Sequence, residues 1–209
     1  MSNSKITDLD LVTTPLAHTE EIEVVQGGEN KRTPISNIAR NLQLVEFNTA
    51  PIVPAHQEGR IYWDADAATL AYMTDVPGVV FQVGQEQYVK GRNNSGAEIA
   101  NGKPVYMTGA IGNRPTIALA QANMLQGSRL LGLATESIAD NADGYVTAFG
   151  LVRDIDTSAF ITNDTLFVSE TVAGDLVNVA PATYPAIAGT CVISHATQGI
   201  VLVRTVIFN

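Results

Sequence analysis

The segment NADGYVTAFGLVRDID, residues 141–156, contains the pattern that decides the fold class of this chain. Asp143-Gly144 is a turn signal, and the run Tyr145–Val152 that follows is rich in residues that favour β-strands. The same alternation of turns and strand-like runs continues through residues 91–209. The other runs are Pro104–Thr108, Thr116–Ala120, Leu130–Thr135, Thr165–Ser169, Leu176–Val179, Thr190–Ser194 and Ile200–Ile207. This spacing predicts an antiparallel β-barrel or β-sandwich, with Gln121–Gln126 as a single helical turn.

The composition of the whole chain favours a mainly β protein. Of its 209 residues 45% are apolar and only 16% are charged, with 17 Gly and 9 Pro, which suits a turn-rich β fold better than a solvated helical bundle. The 12 basic residues against 21 acidic ones give a net charge of −9. No excess of positive charge is therefore present to neutralise phosphates, and we expect neither nucleic acid nor an anionic membrane surface as a partner.

Two further features restrict the class of protein. The single cysteine excludes an intrachain disulfide framework and a zinc site built from cysteines. The first residues lack the apolar run of a signal peptide, and no stretch reaches the ~20 apolar residues that span a bilayer. We expect a protein that folds in a reducing cytoplasm.

The first 45 residues predict a small docking module. Glu21–Val25 alternates charged and apolar residues, as strands do, and a Gly27-Gly28 pair follows. Thr33 as N-cap and Pro34 at the first helical position then predict a short helix. Its apolar stripe is too short to form a core alone, so we expect it to be a docking interface. The stripe consists of Ile35, Ile38 and Leu42.

Residues 46–58 contain Pro51 and Pro54 and show no periodicity, which predicts an extended linker. Residues 59–90 predict a meander of short strands. A meander of this size is marginally stable by itself in water. It nevertheless carries the only tryptophan of the chain, so we expect its apolar side chains to be buried against symmetry copies of the same segment. The predicted trimer interface consists of Ile61, Tyr62, Trp63, Leu70 and Tyr72.

The sequence contains little that indicates a catalytic nucleophile or a metal site. Cys191 and His195 lie four residues apart in a strand-like run, which separates their Cα atoms by roughly 13 Å and is too far for a hydrogen-bonded pair. The three histidines, His18, His56 and His195, fall in different parts of the chain and match no metal-ligand spacing. We therefore expect no catalytic residues, no cofactor and no metal.

The densest group of carboxylates leaves three interpretations open. It consists of Asp140, Asp143, Asp154 and Asp156. The spacing Asp154-Ile155-Asp156-Thr157-Ser158 is typical of a turn in which Asp bonds to the backbone, but an Asp-x-Asp pair can also bind calcium, and two carboxylates can serve a glycosidase. Tyr62 and Trp63 likewise fit either a sugar-stacking platform or a subunit interface.

Several motifs resemble those of bacteriophage tail-fibre and fibre-like virion proteins. The run Glu21–Gly28, with the lysine-bearing turn and helix after it, is similar to the E-x-V-V-Q-x-G opening of such proteins. Gly59–Asp64 with Thr69-Leu70 is similar to their G-R-L-Y-W-D … T-L hairpin, and residues 84–110 continue as in phage structural proteins that end in a β-domain. The resemblance covers nearly the whole chain and implies an N-terminal part that docks onto the particle, a chain that trimerises, and no catalytic residues.

The function that this resemblance implies is structural. The chain would be a short homotrimeric fibre, or an adaptor for another fibre protein, docked to the tail, collar, baseplate or capsid of a virion assembled in the host bacterial cytoplasm. Two alternatives stay open: a host-glycan-binding receptor protein of the tail, and a capsid decoration (head-fibre) protein. The aromatic residues that could bind a glycan in the last part are scattered; they are Tyr145, Phe149, Phe160 and Tyr184.

Overall fold

The computed structural model describes residues 21–26, 29–34, 45–50 and 55–207. The chain divides into two compact units, Met1–Phe47 and Asn48–Asn209. Within the described residues all regular structure is β-strand, which confirms the prediction of a mainly β protein. The same residues contain no helix that is long and apolar enough to cross a membrane.

The described part of the first unit is a two-stranded antiparallel sheet, β1 (Glu21–Gln26) and β2 (Glu29–Pro34). The prediction of Thr33 as an N-cap and Pro34 as the first helical residue is wrong, because Thr33 pairs with Ile22 and Pro34 with Glu21 in this sheet. Proline is tolerated at the end of such an edge strand, where its missing N–H costs no ladder hydrogen bond. The predicted docking residues Ile35, Ile38 and Leu42 lie outside the described residues.

The second unit begins with the predicted meander, which forms a three-stranded antiparallel sheet. Its strands are β3 (Ile61–Asp64), β4 (Thr69–Met73) and β5 (Val80–Gln82). The β3–β4 turn is held by Asp64, whose Oδ1 accepts hydrogen bonds from the backbone N–H groups of Asp66 and Ala67, both at 3.0 Å. The strand pattern of this segment is therefore confirmed.

A nine-stranded sheet forms the rest of the second unit, and each of the eight runs predicted after residue 91 overlaps one of its strands. The strands are β6 (Gln87–Asn93), β7 (Pro104–Ile111), β8 (Arg114–Leu119), β9 (Leu130–Ala134), β10 (Asp143–Ile155), β11 (Thr165–Val168), β12 (Leu176–Val177), β13 (Ala186–Ile193) and β14 (Gly199–Ile207). Their order is β12-β11-β13-β14-β10-β6-β8-β7-β9. Strand β6 crosses residue 90, where the sequence placed a boundary, and pairs inside this sheet.

An additional pairing between β9 and β10 closes part of this sheet into a ring of five strands, β10-β6-β8-β7-β9. The long strand β10 is shared, because its first half pairs with β6 and β9 and its second half with β14. The prediction of a purely antiparallel domain needs one correction: β6 and β8 run parallel. The reason is the β7–β8 hairpin, whose return strand comes to lie beside β6 in the same direction.

Two groups of buried apolar side chains form the core. One comes mainly from strands of the ring and consists of Ile99, Val105, Ile117, Ala134, Ile138 and Val146. The larger one is contributed by β9, β10, β11, β13 and β14, with Leu133, Val152, Leu166 and Val201 among its members. The single helical turn predicted at Gln121–Gln126 lies slightly later in the chain: the i→i+4 hydrogen bond of this loop runs from the N–H of Ser128 to the carbonyl of Met124. The N–H of Ala122 instead donates to the carbonyl of Ser169.

Candidate functional site

One face of the meander is a partly exposed apolar surface. Residues directly opposite each other in antiparallel strands share a face, so Ile61, Tyr72 and Phe81 form one cross-strand row. Trp63 and Leu70 form a second row, which Val83 extends by its backbone hydrogen bond to Leu70. In the single chain Ile61 is 59% exposed, Tyr72 37% and Val83 46%. We call these six side chains the apolar face: Ile61, Trp63, Leu70, Tyr72, Phe81 and Val83.

Four of the five predicted trimer-interface residues lie on the apolar face, and the fifth, Tyr62, lies on the opposite side of the sheet. Tyr62 pairs with the buried Ala71. The physical reason is the two-residue period of a strand, which cannot direct three consecutive side chains to one surface. Tyr62 and Asp64 instead line a cavity beneath the meander.

Stacked aromatic rings connect the apolar face to the nine-stranded sheet. Tyr72 and Phe81 stack with their ring centroids 4.9 Å apart, and Phe81 meets Tyr88 of β6 edge-on at 5.1 Å. Tyr88 in turn lies 6.0 Å from Tyr145 of β10. Such contacts each contribute about 0.5–1.5 kcal/mol beyond the burial of area, so the meander is anchored to its own chain along one edge.

Glu86 is the central polar residue of this junction. Its side chain is 2% exposed, and its Oε1 accepts a hydrogen bond from Nη1 of Arg153 at 3.0 Å. Its Oε2 accepts from the hydroxyl of Tyr88 at 2.8 Å and from the backbone N–H of Gln82 at 3.3 Å. The buried carboxylate therefore bonds at once to the meander, to β6 and to β10. Burial and this neighbouring carboxylate both raise the pKa of Tyr88, which keeps its phenol protonated.

A cavity of about 720 Å³ lies between the meander and the nine-stranded sheet. The meander side contributes Tyr62, Asp64, Asp66 and Gln82, and the larger sheet with its loops contributes Asn101, Glu136, Arg153 and Asp154. Its volume is in the range of ordinary ligand sites. Four carboxylates and one guanidinium make its lining acidic.

Burial and hydrogen bonds shift the pKa values of two carboxyl groups at this cavity, Asp64 and Glu136, in opposite directions. Partial burial tends to raise the pKa of Asp64, but hydrogen bonds from the N–H of Ala67, the amide of Gln82 and the N–H of Asp66 outweigh burial and hold the pKa below its usual value. Burial raises the pKa of Glu136, and the hydrogen bond from the backbone N–H of Tyr145 offsets this only in part. The carboxyl group of Asp64 is thus ionised at neutral pH.

The four carboxylates of the predicted acidic group have separate structural roles. Asp156 makes the predicted turn, since its Oδ1 accepts from the N–H and the hydroxyl of Ser158 at 2.9 and 2.6 Å. Asp143 pairs with Arg92 and Arg114. Asp140 accepts from the N–H of Gly96, which joins two loops. Asp154 has a positive φ of 57° and lines the cavity.

No metal centre is visible among these groups. The described residues contain no cluster of three or more His, Cys, Asp or Glu side chains able to hold an ion. Cys191 is fully buried, and burial raises the pKa of its thiol. His195 stabilises a turn, in which its Nδ1 accepts hydrogen bonds from the N–H groups of Thr197 and Gln198.

The remaining aromatic candidates do not form one surface. Phe149 is 44% exposed on β10, whereas Phe160 packs against the larger core and Tyr145 belongs to the stacked rings described above. Neither the cavity nor the bond between Glu86 and Arg153 is visible in the sequence pattern. Strand alternation could have shown that Tyr62, Asp64 and Gln82 share a face, but no local signal joins residues 67 positions apart.

Comparisons of the chain with protein-family models, with curated proteins and with solved structures find no match.

Proposed function

We propose that this chain is a structural protein of a bacteriophage virion, in which three copies associate through the apolar face and the first 45 residues dock onto the particle. The observation that carries the proposal is the apolar face itself. It presents six large apolar side chains in two cross-strand rows, and three of them are more than one-third exposed in the single chain. The resemblance of the surrounding motifs to phage fibre proteins gives the class of particle.

The physical argument for self-association is the free energy of the exposed apolar area. A contiguous apolar patch on a strand-built surface is costly in water and marks interaction sites. Each large apolar side chain that becomes fully buried contributes about 1.5–3 kcal/mol. Ile61, Tyr72 and Val83 are the side chains of the apolar face with the largest exposed fractions. A symmetric assembly buries the same rows on every copy, which a closed threefold arrangement allows.

The second unit supplies the rigid part of such a component. It holds both core clusters and the closed ring of strands, so it is stable enough to present the apolar face in a fixed geometry. The first unit, Met1–Phe47, is a separate compact unit, as expected of a segment that docks to another protein. Assembly rather than catalysis is then the role of the chain, and the virion is its location.

Sedimentation velocity of the full chain tests the association. The wild-type protein is expected at three times the chain mass of 22.2 kDa, and the double variant Ile61→Ser/Val83→Ser at the mass of one chain. Because both side chains are exposed in the single chain, the variant should keep its far-UV spectrum. Ile161→Ser is the matched control, since Ile161 is 71% exposed but lies outside the apolar face. A folded wild-type monomer at micromolar concentration would refute the trimer.

Removal of residues 1–45 tests docking. The truncated protein is expected to keep the association state of the full chain, because the apolar face lies in the second unit. It should fail to enter assembled particles when supplied in place of the intact protein. Normal incorporation of the truncated protein would place the docking site elsewhere and overturn this half of the proposal.

A further inference from the structure

We propose that the cavity beneath the meander is a binding site for a ligand that carries a protonated amine. This inference goes beyond the structural function proposed above and does not depend on it. The site is formed inside one chain by Asp64, Gln82, Asn101, Glu136 and Asp154.

Two buried amide oxygens at the cavity lack a hydrogen-bond donor. Gln82 is 8% exposed, its Nε2 donates to Oδ2 of Asp64 at 3.2 Å, and its Oε1 has no partner among the described residues. Asn101 repeats this pattern: its Nδ2 donates to the backbone oxygen of Arg153 at 3.1 Å, while its Oδ1 is buried without a partner in the described part of the chain. An unpaired buried polar atom costs about 1–3 kcal/mol, so a ligand that donates hydrogen bonds here stabilises the site.

The charge of the lining determines which kind of donor fits. Asp64, Asp66, Glu136 and Asp154 line the cavity, and none of them forms an ion pair with a described residue. The one guanidinium of the lining, Arg153, is bonded to Glu86. A cavity with surplus acceptors and net negative charge favours a ligand that is both a donor and a cation.

A protonated amine meets this requirement better than a bare metal ion or a neutral sugar. A metal ion needs several ligands that converge on one point, and the described residues contain no cluster of three acidic, histidine or cysteine side chains that does so. A neutral sugar would leave the four carboxylates without a counter-charge. An ammonium group donates three hydrogen bonds, and Tyr62 adds an aromatic side chain to the lining of the cavity.

The same ammonium chemistry can come from a linear polyamine or from an amino sugar, and calorimetric titration of the full chain separates the two. The probes are spermidine, glucosamine and, as a neutral reference, glucose. At low ionic strength we expect saturable binding of at least one amine and none of glucose, with affinity that falls as salt is added. Tighter binding of spermidine assigns the site to a polyamine, and tighter binding of glucosamine assigns it to an amino sugar.

Two variants test the location. Glu136→Gln keeps an acceptor for the N–H of Tyr145, and Asp154→Asn keeps a residue type that tolerates the positive φ at this position. Each removes one charge from the cavity and is expected to weaken amine binding about tenfold, the loss typical of one charged hydrogen bond. Glu98→Gln, at an exposed position outside the cavity, is the matched control and should leave the affinity unchanged.

A third variant tests the contribution of the Gln82 amide. Gln82→Met removes, at similar volume, both the unpaired oxygen and the hydrogen bond from Nε2 to Asp64. It should weaken binding, while the thermal midpoint shows whether the meander stays folded without that bond. The proposal is overturned if neither amine binds at millimolar concentration, if glucose binds as well as glucosamine, or if Glu98→Gln weakens binding as much as Glu136→Gln does.

Discussion

The junction between Glu86 and Arg153 makes a quantitative prediction for the variant Arg153→Met. Glu86 is 2% exposed at its side chain and receives one of its three hydrogen bonds from Arg153. Loss of one partner of a buried ion pair costs about 3–5 kcal/mol. Because the Arg153 side chain is itself 38% exposed at the cavity, water can reach part of the vacated space. We therefore expect a loss of about 2–3 kcal/mol in the free energy of unfolding.

A double-mutant cycle separates the ion pair from the packing of the arginine stem. Glu86→Gln removes the charge but keeps an acceptor, so Arg153→Met in that background should cost only about 1 kcal/mol. The coupling free energy between the two positions is then about 1–2 kcal/mol. Tyr88→Phe, which removes a different hydrogen bond to the same carboxylate, is the control for general loosening of the junction.

Urea unfolding with two probes provides the assay. The fluorescence of Trp63, the only tryptophan, reports on the meander, and far-UV circular dichroism reports on all the strands. In the wild type the two transitions should coincide; in Arg153→Met the fluorescence transition should come first if the meander detaches before the larger sheet unfolds. A coupling free energy below about 0.3 kcal/mol, within the error of such cycles, would show that the ion pair does not hold the meander in place.

Three further outcomes follow from individual contacts. Gly150→Ala should destabilise the protein by more than about 1 kcal/mol, because φ is +122° there and a Cβ would lie 2.6 Å from Cγ and 3.0 Å from Cα of Glu86; a thermal melt measures this, and an unchanged midpoint would contradict it. Cys191 should react with a thiol reagent only in the unfolded protein, since it is fully buried and its pKa is raised; rapid labelling of the native state would count against this placement. The hydrogen bond from Lys90, with one from Tyr145, lowers the pKa of Asp75, so its stabilising contribution is present above the unfolded pKa of about 4 and is lost as the pH falls through the lower folded pKa. Asp75→Asn should flatten the dependence of unfolding free energy on pH in that acidic window, and an unchanged profile would refute the assignment.

Short stretches of sequence were sufficient to predict where the strands of this protein lie. The run Tyr145–Val152 and the runs that resemble it are bounded by Gly, Asn and Asp residues, and both the strand preference and the turn preference are set within a few residues. The same local logic explains Asp156, whose carboxylate bonds two residues ahead in the predicted turn. It failed at Thr33 and Pro34, where pairing with β1 overrides a helix-start signal of two residues.

Residue preferences and turn signals were enough to predict that the chain is mainly β and where most of its strands lie. The tertiary structure alone decided that β10 closes a ring with β9, that β6 and β8 run parallel, and that Glu86 meets Arg153. It also decided that Tyr62 belongs to a cavity while its neighbours Ile61 and Trp63 belong to the apolar face. Strand and turn preferences act between residues that are close in sequence. Which strand pairs with a sheet edge, and which group meets a buried charge or an unpaired amide, depends instead on packing between distant segments.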